Sequence, residues 1–546
     1  MAKPDLRYPV SLARHDGKVY TANERSGTVS IVDLANGHTR EIELGGRPVD
    51  LLAEQDRVVI ADAGVNQLRI FQTGKTIKEL PGALCTSEPT RLVSGGYRQT
   101  LAVSSTWGRR VGIYQAKTKQ FGRLGLLREL DLEFSPRELL FFAGGKQLLI
   151  TDAFGGRYAV YDLEKEKFLA KRQIPAHNIR GLALDPGGTD IVFSHQILNP
   201  LARTTFNDIH WGVLMANVAR SIPIANLRSQ SGDVLRNSVL HRLGTTGPAA
   251  GDPGAISIQP DRVTISLTGV GAILTGSNFN DLKRIEVGSR PTALLTSGDE
   301  ALVANTFSDS ISVVDLEGHE VSKEIHLGEQ RKLTAAEEGE RIFFDAKRSH
   351  NGWLSCHSCH TDGHSNGQLN DNLGDGSFGA PKRVLSLLGV GKTAPWAWNG
   401  SIRKLEDQIS KSIKNTMQGS ALAKTETSQL KAYLMTLRLP DRDLVGEKED
   451  EGLVRGRKLF AKMDCFRCHN EPSYTSEKSY EVGLRDELGS QEFNPPSLRG
   501  LAYRARFFHD NRAESLVEVF YKHRHQLPED LSPSELFDLS QFLQSL

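Results

Sequence analysis

Five cysteines occur in the 546 residues, and four of them fall into two units of one pattern. The first is Cys356-His357-Ser358-Cys359-His360 and the second Cys465-Phe466-Arg467-Cys468-His469. In C-x-x-C-H the thiols stand one helical turn apart, so each can add to one vinyl group of a haem, and the imidazole that follows directly can reach the iron. The pattern therefore predicts two covalently bound haem c groups, attached at Cys356, Cys359, Cys465 and Cys468, with His360 and His469 as metal ligands. Zinc is the competing reading of adjacent Cys and His. It requires a second ligand pair close by, and these units lie more than a hundred residues apart. A redox-active C-x-x-C would need a βαβ context, which is lacking here. Cys85 stands alone near a Pro-Gly turn and reads as an inert packed thiol.

The opposite face of each iron needs a ligand some tens of residues further on. After the first unit, Met417 in KNTMQGS is suitably placed, and packing against a helix is its alternative role. After the second, FYKHRHQL offers Tyr521, His523 and His525, the two histidines ahead of the tyrosine. His364 follows His360 too closely to swing to the far face, and His509 reads as a packing and hydrogen-bonding residue near the haem. Axial identity moves haem potentials over about 0.8 V. Since about 59 mV is already a tenfold shift for one electron, unlike ligand sets would make the two haems a donor–acceptor pair.

The elements that must carry these residues change character near residue 330. Before it the chain reads as short strands and turns in repeats of about 40 residues, four strands per unit, which is the signature of a β-propeller. VYTANERSGTVSIVDLANG and ALVANTFSDSISVVDLEGH are the clearest copies, both ending a strand in Val-Asp-Leu. TREIELGGRPVDLL and LKRIEVGSRPTALL are a second matching pair. Weaker copies start at VVIADAG, LAVSSTW and LLITDAF. Five units are clear and the region from about 176 to 285 is degraded, so seven blades are expected, with six or eight compatible. The repeat resembles the YVTN propeller family. SHQILNPLARTTFNDIHWGVLMAN breaks the pattern and carries His195, His210 and Trp211. Such a segment could cover a haem edge or line a pocket, and an ordinary blade insertion would look the same. Beyond residue 330 the segments are helical, and the stretch from Cys356 to TSQLKAYLMTL parallels the one from Cys465 to SELFDLSQFLQSL. The expected fold is thus multidomain: an all-β propeller over 1–330, then two all-α cytochrome c-like haem domains over 331–440 and 441–546. LPDRDLVGEKEDEGLVRG is the expected linker between the last two.

The stretch from about 338 to 546 resembles the bacterial dihaem cytochrome c peroxidases and MauG-type enzymes. The resemblance rests on Pro496-Ser497-Leu498-Arg499, Phe508-His509-Asp510-Asn511 and Ser515-Leu516-Val517-Glu518 in the second half, and on Ala397-Trp398-Asn399-Gly400 and Leu405-Glu406-Asp407-Gln408 in the first. It implies that Trp398, with Trp396 close by, lies between the haems and helps carry electrons. Family peroxidases use a Glu as acid–base group for O–O cleavage, and alignment places Gln418 there. An amide can hydrogen-bond peroxide but cannot shuttle its proton. Met417 on the first iron would also deny peroxide a site. The family's calcium site between the domains is doubtful here, because Arg504-Ala505-Arg506 stands where Thr-x-Pro is expected.

Bulk properties are those of an ordinary globular protein, with 38% hydrophobic and 24% charged residues and a net charge of +1. That balance gives no argument for nucleic acid, and no apolar run is long enough for a transmembrane helix. MAKPDLRYPV lacks the regions of a signal peptide. The cytochrome resemblance nevertheless implies a periplasmic or cell-surface protein. The expected partners are a small redox protein as electron donor or acceptor, and hydrogen peroxide or an oxidisable substrate. An enzyme of the dihaem peroxidase type needs one haem with an open or displaceable site. A non-enzymatic electron-transfer protein, with the propeller as docking module, needs both irons six-coordinate. A propeller binding protein with redox-sensing haems is the third reading.

Overall fold

Six of the seven blades begin their innermost strand with proline. The residue has no N–H to contribute to a ladder, so the first position of a strand is where it fits. Pro9, Pro48, Pro89, Pro136, Pro253 and Pro291 open these strands, and each is followed directly by a shift in pairing register. The structure, a computed structural model, describes residues 5–54, 57–73, 77–116, 123–440 and 451–546. Among these, seven four-stranded antiparallel sheets follow one another along the chain, spanning 9–43, 48–84, 89–131, 136–173, 177–242, 253–286 and 291–326. The N-terminal part is a seven-bladed propeller, and the degraded stretch of the repeat holds its fifth and sixth blades.

The repeat motif explains the blades. The second strands, such as Lys18–Asn23 and Glu300–Asn305, are buried at nearly every position because both faces pack against neighbouring blades. Each of these two ends in an asparagine whose amide reaches into the next strand. Asn23 donates to Thr28 and Ser30 at 2.9 and 2.8 Å, and Asn305 donates to Ser310 and Ser312 at 3.1 and 2.8 Å. The Ser/Thr-x-Ser of the repeat is thus the partner of its Asn. The ring closes where the Asp309 carboxylate of the last blade accepts the backbone N–H groups of Arg7 and Tyr8 at 3.0 and 2.9 Å. Cys85 is partly buried against the core between two blades, and burial pushes its thiol up to about 12.

The chain divides into two compact units, one of residues 1–197 and 217–332 and one of residues 198–216 and 333–546. His195 therefore stays in the propeller, fully buried in the strand Asp190–Leu198, whereas His210 and Trp211 belong to the second unit.

The second unit is built twice over. Helix Ala335–Phe344, started by a Thr334/Glu337 capping box, packs on helix Lys424–Leu434, and helix Glu451–Lys462 packs on helix Pro533–Ser545. At each crossing a glycine admits the partner backbone. A Cβ on Gly339 would lie 2.0 Å from the Gln429 carbonyl oxygen, and one on Gly456 2.1 Å from that of Asp538. The repetition continues through the loops: Trp396 pairs with Ile402 as Phe507 pairs with Ala513, and Ala397 and Phe508 share a φ of 67°. Single π-helical turns at Ser412–Thr416 and Glu518–Lys522 complete it. Most of the expected linker, 441–450, lies outside the described residues. Among the described residues no helix is long and apolar enough to cross a membrane.

Candidate functional site

Each C-x-x-C-H unit opens onto its own apolar cavity in the second unit. Cys356–Cys359 forms one helical turn and Cys465–Arg467 a tighter one, and in both the histidine N–H bonds the carbonyl of the first cysteine at 2.9 Å. The first cavity, about 270 Å³, exposes Cys356, Cys359 and His360 among Phe343, Ile409 and Leu434. The second, about 320 Å³, exposes Cys465, Cys468 and His469 among Phe460, Leu516 and Phe520.

The donor set fits a haem in three respects. A metal-bound imidazole is held by a hydrogen bond from its other nitrogen. The Nδ1 atoms of His360 and His469 meet the carbonyls of Leu385 and Tyr474 at 2.9 and 3.2 Å, which leaves each Nε2 for a metal. Burial lowers both imidazoles to about 4, so they are neutral at pH 7, as ligation requires. Burial also raises the Cys468 thiol and pushes Cys465 up to about 12, the reverse of a reactive C-x-x-C. The third respect is charge. Arg383 and Arg504 line both cavities, and among the described residues neither has a carboxylate partner. Burial lowers them to about 9 and about 10. A buried cation without a counter-ion is costly, and the carboxylates of a haem would supply one.

Trp398 also lines both cavities and is 8% exposed. Its indole N–H donates to the Arg383 carbonyl at 2.9 Å, and the Arg383 guanidinium lies 5.4 Å from the ring centroid. The internal repeat sets Trp398 against His509. The Trp398 carbonyl accepts from Asn494 N–H at 2.7 Å, and the His509 carbonyl from Arg383 N–H at 2.6 Å, so each half's turn is held by a segment of the other. His509 is buried, stacks on Phe493 at 4.3 Å and faces the second cavity. His364 engages Ser386 Oγ and the Tyr503 carbonyl, and lines neither cavity.

The distal candidates separate. Met417, 3% exposed, lines the first cavity with His360. His525 lines the second, close enough to His469 to depress it further, whereas His523 and Tyr521 do not line it. By the repeat His523 is the counterpart of Met417, since each N–H closes the π-turn five residues back, at Glu518 and Ser412. Gln418 lies outside the first cavity, its amide donating to the carbonyls of Thr204 and Asn415 at 2.9 and 3.0 Å. No signal in the sequence pointed to Arg383, and Arg504 stood out in it only as a departure from the family's calcium-site segment. The paired glycines had a signal: Gly339-Glu-Arg-Ile-Phe and Gly456-Arg-Lys-Leu-Phe share Gly-x-x-(Ile/Leu)-Phe before each haem unit.

A family model described as di-haem cytochrome c peroxidase matches residues 334–436. That stretch is similar to the di-haem cytochrome c peroxidase family. A cytochrome c551 peroxidase of Nitrosomonas europaea is 24% identical over 266 residues, 39% of this chain and 79% of the relative. The methylamine utilization protein MauG of Methylorubrum extorquens is 26% identical over 271 residues, 38% of this chain and 76% of the relative. Among solved structures, the hydrazine synthase of Kuenenia stuttgartiensis aligns over 57% of this chain and 97% of its own, with a TM-score of 0.48 and 16% identity. The peroxidase-type region and its relatives support a haem oxidoreductase.

Proposed function

We propose that this protein is an extracytoplasmic dihaem c-type oxidoreductase of the cytochrome c peroxidase/MauG type, which moves electrons between two haem sites to reduce peroxide or oxidise a substrate. The observation that carries this reading is Trp398 in the walls of two cavities that each present a C-x-x-C-H imidazole. Cys356 and Cys359, and Cys465 and Cys468, would hold one haem each by thioether bonds, in cytochrome c-like domains over 331–440 and 441–546. Bound there, the two irons would supply one-electron and peroxide chemistry.

The chain's own residues do the rest. His360 and His469 would each ligate an iron, oriented by the carbonyls of Leu385 and Tyr474. Met417 would be the second protein ligand at the first site and His525 at the second. Arg383 and Arg504 neutralise the haem carboxylates. The apolar walls exclude water, and the Trp398 indole, fixed by its bond to Arg383, bridges the two sites as an electron relay. A thioether raises a haem potential relative to a second imidazole, so Met417 would make the first site the higher-potential one and the pair directional. A small redox protein is the electron partner. Calcium has no role in this scheme.

The second reading, pure electron transfer, is favoured by one observation: Met417 lines the first cavity while Gln418 points away from it. Protein matured in a cytochrome-competent host should carry two haems by pyridine haemochromogen assay. Added peroxide should change the optical spectrum and oxidise a reduced small cytochrome, and Trp398→Phe should slow turnover without altering the resting spectra. Two low-spin haems inert to peroxide would overturn the enzymatic reading in favour of the second. A colourless protein would overturn both.

A further inference from the structure

We propose that residues 198–216 form a strap that holds the Met417 loop closed over the first haem site, with Gln418 as the positioning residue that fastens it. This rests on the reading of Met417 as a ligand.

The strap leaves the strand Asp190–Leu198 and is pinched at its base, where Asn199 N–H donates to the Leu214 carbonyl at 2.9 Å. Inside it, the side chain of Thr205 caps the short helix Phe206–His210. Its inner side is fixed at several points. Thr204 N–H donates to the Asp371 carbonyl at 3.0 Å, and Arg203 pairs with the Asp371 carboxylate at 3.5 Å. His210 Nδ1 meets His350 Nε2 at 2.9 Å, and the same His350 donates its backbone N–H to the Met417 carbonyl at 3.0 Å. Gly212, at φ 62°, lies against Trp353, where a Cβ would come within 2.5 Å of the indole. The strap therefore grips the carbonyl side of Met417 through His350 and the next residue through Gln418, whose amide bonds Thr204 O and Asn415 O together.

The internal repeat provides the comparison. Gln418 and Arg524 follow the two π-turn ends and both adopt left-handed backbone, at φ 50° and 44°, a conformation non-glycine residues seldom take without support. Arg524 is exposed and pairs with Asp530, six residues away in sequence, and no comparable segment fastens it among the described residues. Where the strap is present, an amide stands at this position and is spent on the strap and its own turn. At the position where the family resemblance implies an acid–base group, this chain carries a fastener.

Gln418→Glu tests the idea, because a carboxylate cannot donate to either carbonyl and is repelled by both. In the holoprotein we expect loss of the sulfur-to-ferric-iron charge-transfer band, a lower potential for one haem, and faster cyanide binding to that haem by about tenfold or more, the scale of one broken buried hydrogen bond. Gln418→Ala should lie between, Met417→Ala should set the open limit, and Arg524→Ala should change none of these. Arg203→Ala, on the strap itself, should move the same readouts in the same direction and raise amide exchange in 412–420. An unchanged band and cyanide rate in Gln418→Glu and Arg203→Ala, with the band present in the parent, would overturn the strap and leave Met417 ligation standing. A parent protein without the band, unaltered by Met417→Ala, would overturn the ligation reading itself.

Discussion

Replacing Arg383 with methionine asks by the sign of one free energy whether the buried guanidinium serves a bound anion. The ordinary value of an arginine is 12.5, and burial brings Arg383 to about 9, with no carboxylate partner among the described residues. At 1.36 kcal/mol per tenfold in proton affinity, keeping that cation charged costs roughly 5 kcal/mol in the protein without an anion. If nothing offsets this, an apolar side chain of similar volume relieves it, and Arg383→Met becomes more stable than the parent. If haem carboxylates lie against the guanidinium, the substitution strands a buried charge and costs roughly 3–5 kcal/mol. The second outcome is expected. Guanidinium denaturation of the holoprotein, followed by haem absorbance and by circular dichroism, measures it. Because Arg383 lines both cavities, the potentials of both haems should also fall. A stabilised Arg383→Met with unmoved potentials would refute the pairing.

Two further outcomes test the frame that holds the cavities. Gly456→Ala should destabilise the second half by roughly 1–3 kcal/mol through overpacking, since its Cβ would stand 2.1 Å from the Asp538 carbonyl oxygen, and a thermal melt read at the haem band checks it. Lys382, 10% exposed, pairs with Asp375 at 3.2 Å and Asp486 at 3.1 Å, one carboxylate from each half. Burial alone would raise Asp486, but the Ser490 N–H and Lys382 outweigh it and hold the carboxyl below its ordinary 3.8. Its stabilisation is therefore complete above that value and lost as pH falls through the lowered folded-state value. Lys382→Met should cost roughly 3–5 kcal/mol at pH 7 by stranding two carboxylates, and the gap to the parent should narrow on acidification in a pH series of denaturation curves.

What could be read from the sequence depended on how local the cause was. The C-x-x-C-H units are readable because thioether attachment and ligation demand three residues within five positions. The propeller is readable because one strand-turn-strand motif recurs, and the Asn23 and Asn305 networks show why its small hydroxyl residues recur with it. The fifth and sixth blades were hidden: the fifth holds the strap, and the sixth follows the Gly- and Pro-rich stretch before residue 253. The strap was legible as an interruption. That it packs with the second unit rests on single contacts, such as that of Thr204 with Asp371, between residues 167 positions apart, which no periodicity can announce. The burial of Arg383 and Arg504 was illegible for a related reason. A basic residue in a loop looks solvated until the fold buries it.

The doubled architecture makes the second unit its own comparison, and its asymmetries fall where chemistry would require them. The parts that build the frame agree in kind: glycine at each helix crossing, a π-turn before each distal segment, a left-handed residue before each aromatic turn, a backbone carbonyl on Nδ1 of each C-x-x-C-H imidazole. The parts that face a reacting centre differ. Trp398 stands against His509, Met417 against His523 with His525 taking the cavity, and Gln418 against Arg524. Random drift after duplication would scatter differences over frame and site alike. Two equal haem sites would exchange electrons with no net direction, since equal potentials give no driving force. Unlike ligands separated by one shared indole give a gradient of fixed sign, and a strap on one side alone gives that gradient a single closed end. On this reasoning the haem proposed at the first site would be the electron store, and that at the second, with an imidazole, His525, that no hydrogen bond from Nδ1 anchors among the described residues, would be where an incoming ligand competes. Cyanide titration of the parent protein should accordingly perturb the His469 haem before the His360 haem, and the opposite order would reverse the assignment.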